Sequence, residues 1–279
     1  MIKINKTPNV PNILLTNGAA ETTNLENAYN ANPIQYTSRV GIPARMIVKF
    51  NFDNSIYGDD SVKAQLILEQ HDKCCFCEAK FSDNSFGDVE HYRPKGAYKA
   101  NGARRLSYPG YYWLAYKWNN LMYSCEKCNR KFKKNSFPLY TEVTRKPNHN
   151  HPNSLNNENR LLINPNIEDP SLFITFREEV PVAVGRSLKG STSIKAYGLE
   201  RMNDSRLDYL KLLGGLLAFY EIDITDNRQV SLAMRAFNFT RQQVLDKVSD
   251  ATQFFNSAAT NRGKFAHCVR CKFTHLPTV

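Results

Sequence analysis

Long apolar runs are missing from this sequence. The opening Met-Ile-Lys-Ile-Asn-Lys has no apolar core of the kind a secretory leader carries, and the most apolar later stretch, around Leu212 to Tyr220, is too short to cross a bilayer. These absences predict a soluble, cytoplasmic chain with no membrane partner. No Gly-rich phosphate loop occurs, which argues against nucleotide hydrolysis by that device, and no segment repeats at a solenoid period. Acidic residues are in short supply: 26 Asp and Glu stand against 37 Lys and Arg, for a formal charge of +11. Such an excess favours a polyanionic partner, because neutralised phosphates release condensed counterions; taken alone it equally describes a merely basic soluble protein. Seven cysteines without an export signal predict reduced thiols, engaged in metal binding or burial rather than in disulfides.

What is present supports a folded chain. Hydrophobic residues make up 42% and aromatics 11% of 279 residues, enough for a cored domain and a smaller companion. The fold class expected is α+β, predominantly helical. Residues 1–55, rich in Asn, Thr and Pro, read as an extended N-terminal arm, and residues 56–140 as a cysteine-bearing domain. Within the latter, Asp59 or Asp60 caps a helix with Val62, Leu66 and Leu68 as its apolar positions, ending near His71. Residues 141–165 are almost wholly polar at first and read as a surface loop or linker. Residues 166–279 read as mainly α-helical after a short hairpin formed by stretches around 172–176 and 180–184. Helices are expected after Ser191 or Thr192, after Asp204 or Ser205, from about 228 to 255 and from about 263 to 273.

Cys74 and Cys77 form one C-x-x-C pair, and Cys125 and Cys128 a second. Two such knuckles can offer four thiolates to one tetrahedral Zn²⁺, and a closed site of that kind keeps no open position for chemistry. The ion would act as a clip between distant segments, with Cys75 left to packing. Between the clipped ends lie Glu90-His91 and Trp118-Asn119-Asn120-Leu121, and Asn129 follows the second knuckle. A neutral imidazole with a pKa near 6.5 is suited to deprotonating water at physiological pH.

This order of pieces resembles the zinc-containing HNH endonucleases. The resemblance implies a zinc-clipped ββα-metal (His-Me finger) core with an α-helical C-terminal region, and phosphodiester hydrolysis. On these positions His91 would be the general base, Asn120 the residue bracing its loop, and Glu90 and Asn129 the ligands of a catalytic Mg²⁺ or Mn²⁺. One departure is visible: the acid beside the histidine is more often Asp in that family, and the longer Glu90 leaves the identity of the ion open.

Between His91 and Asn135 stand Arg93, Lys95, Lys99, Arg104, Arg105, Lys117, Lys127, Arg130, Lys131, Lys133 and Lys134 against a single acid, Glu126. This concentration places the charge at the proposed site and favours nucleic acid. Arg93, Lys95, Arg104, Arg105, Lys117, Arg130, Lys131, Lys133 and Lys134 are the expected contacts. Tyr98, Tyr108 and Tyr111 either stack on bases or pack the core. His149 and His151 read as solvated. Cys268 and Cys271 read as thiols sharing one face of a helix rather than, with His267 and His275, as a second metal site.

A narrower resemblance, to the PtuB-like branch of HNH proteins of Septu and retron-associated antiphage systems, rests on the ordered series Cys-x-x-Cys-Glu ending at Glu78, Phe137-Pro138-Leu139, Leu161-Leu162-Ile163-Asn164-Pro165 with Asp169-Pro170, and Tyr197-Gly198-Leu199-Glu200-Arg201. It implies an effector nuclease working with a PtuA-like ATPase, or with a retron reverse transcriptase and its msDNA. DNA is the favoured substrate. Cleavage of RNA or tRNA, and a non-catalytic zinc module binding nucleic acid or a partner protein, are the alternatives.

Overall fold

The computed structural model describes residues 1–81 and 85–278, mostly helical, with two small two-stranded sheets. Contacts divide the chain into two compact units, the first comprising Met1–Ile174 with Ala183–Leu199 and the second Thr175–Val182 with Glu200–Val279. No helix among the described residues is long and apolar enough to cross a membrane.

In the first unit, strand β1 (Asp88–His91) pairs antiparallel with β2 (Leu121–Ser124), setting Glu90 opposite Met122 and His91 opposite Leu121. The helix at Asp60–Glu69 begins where expected: Asp59 caps it by accepting from the Ser61 amide. Val62 and Leu66 are buried, whereas Leu68 is exposed. A segment wound in the wide π form, Lys127–Lys133, follows β2 directly. Around these elements lies a core dominated by aromatics, including Phe76, Tyr92, Tyr111, Tyr112, Tyr116, Phe137 and Tyr197. Burying a phenol requires a partner for its hydroxyl. Accordingly Tyr92 and Tyr197 donate to the carbonyls of Leu162 and Ile163, and Tyr111 to Glu158.

Two expectations are corrected here. The N-terminal segment is not an extended arm: Asn17–Ala31 is a helix whose buried face is Gly18, Thr22, Leu25 and Tyr29. Two of those four positions are not apolar. Gly18 is small because a Cβ there would sit 3.0 Å from the Tyr116 Cβ. Residues 141–165 form an irregular loop, as expected, but one anchored in the first unit rather than a linker. Arg145 is buried, stacks 3.9 Å above the Tyr98 ring and donates to Tyr111 Oη and the Phe137 carbonyl, while Leu161, Leu162 and Ile163 are core.

The second unit is built mainly from helices at Asn203–Tyr220, Asn227–Phe237, Arg241–Ala258 and Ala266–Lys272. The single helical pattern read from 228 to 255 is two helices, parted at Asn238, which takes the left-handed conformation an asparagine tolerates. Thr240 and Gln243 then form a reciprocal capping box for the next helix. Phe219, Val230, Val244, Val248 and Ala251 form this unit's core. Strands β3 (Ile174–Arg177) and β4 (Val180–Ala183) make the expected hairpin.

Candidate active site and metal centre

The two knuckles meet. The Sγ atoms of Cys74, Cys77, Cys125 and Cys128 all lie within 4.8 Å of one another, and Cys77 and Cys125 are 3.9 Å apart. Four thiolates about 2.3 Å from one Zn²⁺ stand about 3.8 Å from each other, so the spacing fits a tetrahedral ion. Electrostatics point the same way. Burial holds the Cys74 and Cys128 thiols well above the usual range, and hydrogen bonding to Cys125 does so for Cys77. Cys125, bonded by Cys128, Cys74 and Cys77, is the one held low. Four thiolates so crowded need a dication to offset their repulsion, and the cluster is consistent with structural Zn²⁺. Cys75 lies outside the group, buried, with its amide on the Tyr123 carbonyl.

Residues of β1, of the turn at 94–96 and of the π-wound segment line a cleft of about 540 Å³. Glu90, His91, Lys95, Asn129, Arg130 and Lys134 contribute to its lining. His91 is 6% exposed, its ring held edgewise against Tyr57 with centroids 4.8 Å apart. Nε2 lies 2.8 Å from the Ala115 carbonyl oxygen. A carbonyl only accepts, so Nε2 carries the hydrogen and the lone pair of the neutral ring is on Nδ1. Burial, with Lys95 nearby, pushes the His91 pKa well below its usual value and keeps the ring neutral.

Asn120 ties the strand exit to the turn before it. Its Oδ1 accepts from the Arg93 amide at 2.8 Å, and its Nδ2 donates to the carbonyls of Arg93 and Leu114 at 3.0 and 3.1 Å. Glu90 is buried, and Lys133 sits 2.5 Å from its Oε1 while donating to the His91 carbonyl at 2.9 Å. Burial raises the Glu90 pKa and the Lys133 charge opposes that rise. Lys95, held 4.4 Å over the Tyr57 ring, is lowered to about 8 by burial, with Glu90 opposing. Asn129 donates through Nδ2 to Asp88 Oδ2 at 3.0 Å, and Arg130 closes a two-pronged pair on the same carboxylate. Asp88 is thus a site residue that the sequence reading passed over; its place two residues ahead of Glu90 on one strand was the available signal.

The basic residues sort into two groups. Lys133 is buried on Glu90, and Arg93 is directed to Glu158, 2.8 Å away, and to the Leu155 carbonyl; both are corrected from nucleic-acid contacts to internal braces. Arg104, Arg105, Lys117, Lys131 and Lys134 are exposed, and Lys95 lines the cleft. The tyrosines chiefly pack: Tyr111 is core and Tyr98 lies under Arg145. His149, expected to be solvated, is bonded through Nδ1 to the Tyr112 hydroxyl. In the second unit Cys268 and Cys271 lie on the helix Ala266–Lys272, near the Glu178 carbonyl and the Thr175 hydroxyl respectively.

No protein-family model matches the chain, and no solved structure does. Among curated proteins, Septu protein PtuB of Bacillus mycoides (strain KBAB4) is 42% identical over 154 residues, 55% of this chain and 50% of that protein. The chain is homologous to PtuB. Septu protein PtuB of Bacillus thuringiensis is 28% identical over 163 residues, 58% of this chain and 49% of its own length. The chain therefore spans about half the length of the PtuB proteins it matches.

Proposed function

We propose that this chain is an HNH-type endonuclease that hydrolyses phosphodiester bonds, with β1, β2 and the segment Lys127–Lys133 as its ββα core and the cysteine cluster as its zinc clip. The observation that carries the reading is the His91 ring, whose Nε2–H is fixed on the Ala115 carbonyl beside a cleft that Glu90 and Asn129 also line. His91 Nδ1 takes a proton from water; the hydroxide formed attacks phosphorus in line, and the 3′ oxygen leaves with the opposite bond. Asn120 is the positioning residue, since it fixes both the backbone leaving β1 and the turn at Leu114. Oxygen donors of Glu90 and Asn129 suit Mg²⁺ or Mn²⁺, which when bound would neutralise charge on the phosphate. Lys95, Arg130, Lys131 and Lys134 supply positive charge in and beside the cleft, with Arg104, Arg105 and Lys117 farther out. DNA is the substrate proposed.

Homology to PtuB supports a place in a Septu-type antiphage system with a PtuA-like ATPase as partner, or beside a retron reverse transcriptase and its msDNA. The decisive assay incubates the full chain, alone and with such an ATPase, with plasmid, single-stranded DNA and RNA in Mg²⁺ or Mn²⁺. His91→Ala is expected to lower cleavage by about 10²–10⁴-fold with metal content unchanged. A 5′ phosphate on the product marks attack by water, and a cyclic phosphate marks attack by a 2′-hydroxyl. Cleavage indifferent to His91→Ala refutes the assignment, as would phage protection that survives the substitution.

A further inference from the structure

A second groove, of about 750 Å³, opens beside the cleft and shares Lys134 and Asn135 with it. The loop at 99–106 and the helix Leu188–Ala196 both contribute to its lining, and both belong to the first unit. Lys99, Lys131, Lys134 and Lys195 bring their charges to this groove, all four are exposed, and no carboxylate is in the lining. Several other basic side chains of this unit are ion-paired: Arg93 with Glu158, Arg130 with Asp88, Lys133 with Glu90, Lys189 with Glu168. None of the groove's four exposed lysines joins an ion pair among the described residues.

The backbone beneath these lysines is fixed. The Lys99 amide donates to Asn135 at 2.7 Å and its carbonyl accepts from Phe137 at 3.1 Å, which locks the loop to the segment carrying Lys134. Lys195 stands on a helix capped by the Ser187 side chain. Like charges held together in one trough repel until a polyanion neutralises them, and a trough continuous with the cleft is where a strand passing the scissile bond would continue.

We propose that this groove holds the sugar-phosphate backbone flanking the cut, with Lys99, Lys131, Lys134 and Lys195 as its phosphate contacts. The proposal rests on the nuclease reading of the cleft and adds Lys195, which lies far outside the basic tract of the sequence.

The test uses the full chain and a fluorescein-labelled oligonucleotide presented as single-stranded DNA, as duplex DNA and as RNA, with binding read by anisotropy over a salt series. Lys99→Glu with Lys195→Glu is expected to weaken binding about tenfold and to flatten the salt slope by about 1.4 for a single strand or 1.8 for a duplex. The probe bound most tightly identifies the natural backbone. A control of equal net charge, Lys211→Glu with Arg228→Glu, is expected to leave affinity within about twofold. Hydrolysis of bis(p-nitrophenyl) phosphate, which occupies the cleft alone, should stay at the wild-type level in the groove variant.

Wild-type affinity in the groove variant, an equal loss in the control, or a parallel loss of small-diester hydrolysis overturns the groove. So does a wild-type chain that binds none of the three probes. Small-diester hydrolysis that is absent, or indifferent to His91→Ala, instead overturns the nuclease reading, and the anisotropy result judges the groove on its own.

Discussion

Asn120 shows how much one side chain can decide at this site. A single amide makes three hydrogen bonds to backbone around the strand carrying His91. Asn120→Ala is expected to cost about 1–3 kcal/mol in urea denaturation, because buried backbone groups lose their partner, and to lower turnover while zinc content holds. Lys133 poses a sharper test. Replacing it by Met leaves the Glu90 carboxylate buried without its partner, so a loss of about 3–5 kcal/mol is expected, and adding Glu90→Gln should recover part of it. The four clip cysteines were legible in the sequence through their paired spacing, whereas His91 and Asn120 stood out only through the resemblance to HNH endonucleases. Lys133 and Arg93 were not: each looks like any surface cation until the fold brings Glu90 to one and Glu158, 65 residues away, to the other.

At the level of elements, the π-wound segment Lys127–Lys133 depends on a distant glycine. Gly198 has φ +60°, and a Cβ there would meet the Phe132 ring at 2.2 Å. Gly198→Ala combines left-handed strain with that collision, so a loss of about 2–4 kcal/mol is expected, measured by thermal or urea unfolding. The displaced Phe132 belongs to the same segment as Cys128 and Asn129, and so the metal content of the variant should fall as well. The sequence announced the helix at Asp60–Glu69 through its Asp59 cap and apolar spacing, and the β3–β4 hairpin through its two apolar stretches. It hid the helix at Asn17–Ala31, because close packing at Gly18 and an internal hydrogen bond from Thr22 to the Gly18 carbonyl replace the apolar stripe that a periodicity search detects. The segment at 141–165 was hidden for a related reason: Arg145 and Glu158 are buried through mutual matching with tyrosines, and such matching leaves no hydrophobic trace.

Over the whole chain, the cysteine cluster belongs to one of two units, which gives the metal a localised effect. Removing the ion with a strong chelator is expected to lower the melting transition of the first unit and leave that of the helical second unit in place, as seen by scanning calorimetry with near- and far-ultraviolet dichroism. A single transition lost as a block would show that the two units melt together. The separation of the knuckles has one more consequence. Cys77 and Cys125 are 48 positions apart, so a chain that melts while its thiolates still grip the ion remains a closed ring. Cross-linking a ring of that size removes about 4 kcal/mol worth of disorder from the melted state. Such a chain has the meeting of its two knuckles already made when it cools, and recovery after heat should be fast with the ion retained and slow once it has been stripped.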